Sequence, residues 1–246
     1  MKDNVYKVRS NENIAERIFR MSLEGDVSDI RGPGQFIDIK LDGFYLRRPV
    51  SIADWDRESS SLTIIYKTVG QGTAYMSHML PGDDIQALCA LGNGFDTNKI
   101  PDGAVLAGGG AGVPPLYGLA KQLIREGKHP VAALGFAGKN EVFGEKSFRE
   151  LGVPVRVAAA DGSYGTKGLV TDLLSAGSYV CACGPEPMLR AVCGMSIDGQ
   201  FSFEERMGCG FGVCMGCSCR SMLGSKRVCK DGPVFEKGEI SWQIQE

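Results

Sequence analysis

The sequence predicts an antiparallel β-barrel joined to a parallel-sheet α/β domain, with a small cysteine-rich module at the C-terminal end. Three observations carry that expectation. β-rich runs bounded by turns fill the chain to about Leu91, strands and helices then alternate from residue 104 to residue 193, and five of the nine cysteines fall between Cys209 and Cys229.

In the first part, residues 35–41 (QFIDIKL) put Ile37, Ile39 and Leu41 on one face, and 61–67 (SLTIIYK) and 84–91 (DIQALCAL) are further β-rich runs. Apolar side chains two apart line one side of a pleated strand, so these spacings suit a barrel. A short helix is expected at 73–80, before the turn Pro81-Gly82-Asp83. In the second part a buried strand at 104–107 runs into GGGAGVPP, and a helix at 115–126 carries Leu116, Leu119, Ala120 and Leu123 at helical spacing. Strands near 131–136, 155–160 and 179–183 and helices near 145–151, 168–175 and 187–193 complete a parallel α/β unit. Residues 199–246 have too few apolar side chains for a core of their own, so a bound metal centre is expected to supply the missing stability. The expected domains are 1–97, 98–198 and 199–246.

Net charge is −2 and the charges are mixed in sign along the chain, which gives no basic face or arm for nucleic acid. No apolar run approaches the ~20 residues of a membrane-spanning helix. The opening MKDNVYKVRSNENIAERIF lacks a signal peptide's apolar core, so a soluble cytoplasmic protein is expected. His78 and His129 are the only histidines and read as surface or core residues; no catalytic acid or base is expected.

Cys209, Cys214, Cys217 and Cys229 give the spacing C-x4-C-x2-C-x11-C. The first three match the plant-type [2Fe–2S] loop, with a distant fourth cysteine to close it. Glycines at 208, 210, 212 and 216 fit such a loop, because backbone N–H groups must approach the sulfides without side chains in the way. A four-thiolate zinc site is the alternative, although structural zinc usually takes two C-x2-C pairs and here the second is missing. Cys219, in Cys217-Ser218-Cys219, is an added thiol that could compete as a ligand, the expected set being the other four. Cys89, Cys181 and Cys193 lie in or beside apolar segments and read as small core residues.

Two segments of the barrel carry the chemistry of a phosphate-bearing ligand. Arg48-Pro49-Val50-Ser51 offers a guanidinium, which can grip phosphate bidentately, beside a hydroxyl and backbone polar groups. Ile65-Tyr66-Lys67 precedes Gly70-Gln71-Gly72-Thr73 and a short helix whose N-terminus favours an anion. Each alone reads equally as a basic edge strand or a turn with a helix cap. In order and at this separation they resemble the ferredoxin-reductase superfamily, in which an R-x-x-S strand and a later G-x-G-T loop bind FAD. The resemblance implies FAD binding at Arg48, Pro49, Val50, Ser51, Ile65, Tyr66, Lys67, Gly72 and Thr73.

Gly108-Gly109-Gly110-Ala111-Gly112-Val113-Pro114-Pro115 lies between a buried strand and a helix, where a phosphate-binding turn belongs. Val113 occupies the third glycine position of the usual G-x-G-x-x-G, and Asp161 lies about fifty residues on, too far to be that fingerprint's acidic residue. The segment instead resembles the superfamily's G-x-G-x-x-P turn, in which prolines begin the helix. Cys183-Gly184-Pro185-Glu186-Pro187-Met188 follows the last parallel strand, at the end where doubly wound sheets bind ligands. It resembles the superfamily's C-G-P-x-x-M motif, whose cysteine lies near the nicotinamide ring. NAD binding is thereby implied for Gly108, Gly110, Gly112, Pro114, Cys183, Gly184, Pro185 and Met188.

Nearly the whole chain resembles the electron-transfer subunits of the two-subunit, NAD-dependent dihydroorotate dehydrogenases. The segments are RRPVSI, YKTVGQGT, LGNGF, GGGAGVPPL, GTKGLVTDLL, CGPEPML, and CGFGVCMGC with VCKDGPVF. The resemblance implies FAD, a [2Fe–2S] cluster on Cys209, Cys214, Cys217 and Cys229, and NAD. It also implies an FMN-bearing, dihydroorotate-oxidising partner subunit, assembled with this one as a heterotetramer of two plus two, in pyrimidine biosynthesis. Small subunits of NADH-dependent ferredoxin:NADP oxidoreductase, of sulfide or sulfite reductases and of hydrogenases share the three-part layout and are the alternative.

Overall fold

The computed structural model describes residues 3–195, 197–222 and 224–241. Six strands close the barrel: β1 (Asp3–Ala15), β2 (Ile18–Glu24), β3 (Phe36–Lys40), β4 (Arg48–Asp56), β5 (Ser61–Lys67) and, after helix α1 (Gln71–Ser77), β6 (Asp84–Leu91). Their order is β1-β2-β5-β4-β3-β6, and every neighbouring pair is antiparallel. The alternation read from the sequence sends Ile37 and Ile39 of β3, Leu62 and Ile64 of β5 and Ile85 and Ala87 of β6 into one interior with Tyr6 and Met21. A fully buried Ile or Leu contributes roughly 1.5–3 kcal/mol by leaving water, so this interior holds the cylinder shut.

The second sheet starts with β7 (Val105–Gly109), followed by α2 (Val113–Arg125), β8 (Val131–Phe136), α3 (Glu145–Glu150), β9 (Val155–Ala159), β10 (Thr166–Lys167), β11 (Tyr179–Cys183) and α4 (Glu186–Cys193). Two later strands, β12 (Asp198–Ser202) and β15 (Val234–Glu236), extend it to seven strands in the order β10-β9-β8-β7-β11-β12-β15. All pairs are parallel except β12 with β15. The expected helix at 168–175 is one 3-10 turn at Val170–Leu173. Gly168 enters it at φ +145°, and the Asp172 carboxylate accepts the Leu169 N–H, which closes a single turn where a helix would continue.

The C-terminal stretch adds the hairpin β13 (Ser218–Ser221) and β14 (Gly224–Arg227) and the short helix α5 (Val228–Asp231) before β15. Because β12 and β15 belong to the α/β sheet, the expected boundary at 198/199 falls within β12. The stretch lacks a core of its own, and where a bound metal centre is expected to supply stability it also packs on the barrel: Cys217, Val228, Cys229 and Phe235 join Phe36, Leu88 and Leu91. The barrel and the α/β unit are locked by two ion pairs, Lys121–Asp54 at 2.6 Å and Lys67–Glu141 at 2.7 Å. Between them α2 comes so close to β4 that a Cβ on Gly118 would fall 2.9 Å from the Ala53 carbonyl oxygen. No helix among the described residues is long and apolar enough to cross a membrane.

Candidate redox site at the junction of three modules

A cavity of about 310 Å³ opens where the barrel, the α/β sheet and the cysteine-rich module meet. Pro49, Val50 and Ser51 of β4, Ile65, Tyr66 and Lys67 of β5, and Thr73 line it from the barrel, while Ala111 and Cys183 line it from the α/β unit. The antiparallel pairing of β4 with β5 is what sets the two sequence segments side by side. The floor comes from a run without any motif, Ser202 to Glu205 with Met207, together with Phe36 and Pro233. Sequence reasoning missed these, since a connector between a strand and a loop has no periodicity to betray it.

Arg48 stands beside the cavity, its guanidinium 4.7 Å from the centre of the Phe44 ring. It packs directly on Gly72, where a Cβ would fall 2.1 Å from Nε, so only glycine lets the arginine reach this place. Thr73 closes its own loop: Oγ1 accepts the N–H groups of Val69 (2.9 Å) and Gly70 (3.2 Å) and donates to the Gly70 carbonyl. Tyr66 donates its hydroxyl to Asn11 and stacks on Phe19, and burial pushes the phenol up to about 12. These contacts tie the wall to its own loop and to β1 and β2.

The two glycine-bearing turns of the α/β unit interlock. β7 and β11 run side by side with Gly108 opposite Cys183, and a Cβ on Gly112 would fall 2.1 Å from the Cys183 carbonyl oxygen. A Cβ on Gly109 would meet the Met188 sulfur at 2.4 Å, and one on Gly184 would approach the same sulfur at 2.9 Å. Gly110 turns the chain at φ +48° with open space around it. Pro114 is buried in the first turn of α2, where a missing N–H costs nothing, and Pro185 caps α4. Cys183 is 2% exposed, and burial pushes its thiol up to about 12, so it meets the cavity as a neutral group rather than a nucleophile. Glu204 lies among enough protein for burial to raise its carboxyl, although much of its surface still opens into the cavity.

The four cysteines of the C-terminal loop form two pairs. Within each pair the two side chains influence one another's ionisation, Cys209 with Cys214 and Cys217 with Cys229. Among the described residues no three His, Cys, Asp or Glu side chains converge on one point, as a single four-coordinate ion would need. Two pairs suit a centre with two irons, one pair to each. Backbone N–H groups already face the sulfurs: Val213 and Cys214 towards Cys209 at 3.3 and 3.5 Å, Gly216 towards Cys214 at 3.4 Å, and Cys229 towards Cys217 at 3.4 Å. Burial opposes ionisation of Cys209, but the N–H groups of Cys214, Phe211 and Val213 prevail and lower its thiol to about 6. Gly210 at φ +75° and Gly212 at φ +91° give the loop the left-handed turns that expose those N–H groups. Cys219 lies on the β13–β14 hairpin opposite Lys226, and burial raises its thiol.

Residues 204–241 match the model of the iron-sulfur cluster binding domain of dihydroorotate dehydrogenase B. The chain is 45% identical over 248 residues to the dihydroorotate dehydrogenase B (NAD(+)) electron transfer subunit of Bacillus caldolyticus, covering 95% of this chain and 96% of that one. It is 42% identical over 250 residues to the same subunit of Fusobacterium nucleatum subsp. nucleatum, with 95% and 96% covered. The structure of an NADH-dependent reduced ferredoxin-NADP oxidoreductase superposes with a TM-score of 0.86 at 29% identity, over 96% of this chain and 90% of that chain. A ferredoxin NADP+ reductase from Neisseria gonorrhoeae, at 15% identity and a TM-score of 0.67 over 82% of this chain and 100% of that chain, shares the fold. With this identity along almost its entire length, and with its cysteines in the matched segment, the chain belongs to the family of dihydroorotate dehydrogenase B (NAD(+)) electron transfer subunits.

Proposed function

We propose that this chain carries electrons from a dihydroorotate-oxidising partner subunit to NAD+, using FAD and a [2Fe–2S] cluster. The observation that carries the reading is the single cavity lined jointly by the β4 and β5 segments, by Cys183, and by the run that leads into the cysteine loop. Centres bound there lie within one compact junction, which is what electron transfer without a diffusing carrier requires. FAD supplies the exchange between single electrons and a hydride pair, and the cluster handles single electrons.

The chain's own residues do the placing. Arg48, held by Phe44 and Gly72, offers its guanidinium to a flavin phosphate, and Pro49, Val50, Ser51, Ile65, Tyr66, Lys67 and Thr73 form the wall against the flavin. The interlocked turns at Gly108–Gly112 and Cys183–Met188 hold NAD on the far side, and the neutral thiol of Cys183 brings no charge to the ring. Cys209, Cys214, Cys217 and Cys229 hold the cluster, with the loop's N–H groups stabilising thiolate charge. The partner is an FMN-bearing subunit assembled with this one as two plus two. Val213 and Met215, both exposed beside the cysteines, support a protein-facing edge there.

The test is purified protein with its flavin, iron and zinc counted and NADH oxidation followed with ferricyanide. One FAD, two irons and rapid NADH oxidation are expected; zinc in place of iron, or no NADH oxidation, contradicts the reading. A ferredoxin-linked reductase is the second reading, favoured by the TM-score of 0.86. It predicts electron exchange with ferredoxin and none with dihydroorotate.

A further inference from the structure

A second cavity, of about 200 Å³, lies in the seam between the barrel and the α/β unit. Ile65 of β5, Val113 and Pro114 of α2, and Phe143 and Phe148 give it apolar surface. Three half-buried hydroxyls, those of Thr63, Tyr117 and Ser147, also line it, and none of them has a hydrogen-bond partner among the described residues. Two charged groups line it as well, and each is already neutralised: Arg20 pairs with Glu12 at 2.7 Å and Asp54 with Lys121 at 2.6 Å. Apart from Ile65 and Pro114, none of these residues is assigned to the flavin, nicotinamide or cysteine sites.

An apolar cavity of roughly 150 Å³ holds benzene, so this one takes a single six-membered ring with small substituents. The two ion pairs leave no net charge in it, and a charged ring would lose its hydration without gaining a counter-ion. The polar groups call for both kinds of hydrogen-bond partner. The Asp54 carboxylate only accepts, so it needs an N–H donor, whereas the three hydroxyls can donate to a carbonyl. A flat ring that carries N–H and C=O groups along its edge meets these demands while its faces rest on the apolar side chains.

We infer that this seam cavity binds a neutral, planar, single-ring heterocycle with amide N–H and carbonyl edges, the chemistry of a pyrimidine base. Thr63 of β5 and Ser147 of α3 select it through their hydroxyls, one from each side of the seam, so the ligand bridges the two modules. Ile65 lines both this cavity and the one at the junction of the three modules, so the occupant also presses on the flavin wall. That coupling rests on the flavin reading above; the binding itself does not.

The experiment titrates uracil, phenol and benzoate into the full chain with its flavin and cluster, by calorimetry, for wild type, Thr63→Val, Ser147→Ala and Ser147→Leu. Wild type binds about one uracil per chain with a Kd of about 1 mM or below, the affinity open to a ligand of this size. Phenol, which lacks the N–H and C=O edges, and benzoate, which is charged, bind at least about tenfold more weakly. Thr63→Val and Ser147→Ala each weaken uracil about fivefold, the loss of one hydrogen bond. Ser147→Leu fills the cavity and abolishes binding; circular dichroism and FAD content check its fold, and if it does not fold the two hydroxyl variants decide alone. No uracil binding by wild type, equal affinity for phenol or benzoate, or unchanged uracil affinity in both hydroxyl variants overturns the proposal. Uracil also shifts the visible flavin band, and binding without that shift overturns the coupling. Wild type that purifies without flavin would instead overturn the flavin reading, and the calorimetry would still decide the site.

Discussion

Gly112 lies so close to Cys183 that any side chain at position 112 would collide with the Cys183 carbonyl oxygen, 2.1 Å from where a Cβ would stand. The two turns assigned to the nicotinamide are therefore one unit, built backbone against backbone. Gly112→Ala should splay them at an overpacking cost of about 1–3 kcal/mol. FAD content should persist while reduction of FAD by NADH slows about tenfold or more, measured by stopped-flow absorbance.

Arg48 and Gly72 form a similar couple in the barrel. Arg48→Ala removes the guanidinium and should weaken FAD retention roughly ten- to a hundredfold, the loss of one charge-assisted hydrogen bond. Gly72→Ala should produce the same defect with the arginine still present, because its Cβ would occupy the space of Nε. FAD content after gel filtration is the readout.

Thr73 acts on the loop rather than on open space, since its hydroxyl holds the N–H groups of Val69 and Gly70. Thr73→Val should release the loop and lower FAD affinity by about 1–3 kcal/mol, while Thr73→Ser should restore most of it. Equal affinities for Val and Ser variants would show that the hydroxyl does not order this loop.

Arg227 clamps the cluster module. It makes a fork of two 2.9 Å bonds to Asp231 and a third 2.9 Å bond to the Gly212 carbonyl, tying the Cys214 loop to the turn that bears Cys229. Arg227→Lys keeps the charge and loses the fork. Bleaching of the visible cluster absorbance in the presence of chelator should accelerate about tenfold, with FAD unaffected.

The barrel and the parallel sheet were legible because period-two and helical spacings persist over long segments, as in β3, β5 and α2. The cysteine spacing was legible because ligand distances constrain sequence directly. The three-residue β15 was not, since so short a strand carries no period. Nor was the cavity floor from Ser202 to Met207, which gains its place from β12 pairing with β11.

The central claim is a path from a partner through the cysteine loop to NAD+. Its most direct measurement is NADH formation from dihydroorotate and NAD+ by the chain co-purified with its candidate FMN-bearing partner, for wild type and for Cys217→Ser, with NADH-driven reduction of FAD recorded in parallel. Wild type should form NADH; Cys217→Ser should lose that activity while NADH still reduces its FAD. Dihydroorotate-dependent NADH formation that survives loss of the cluster in Cys217→Ser would contradict the path, and a wild-type complex that forms no NADH would contradict the assignment.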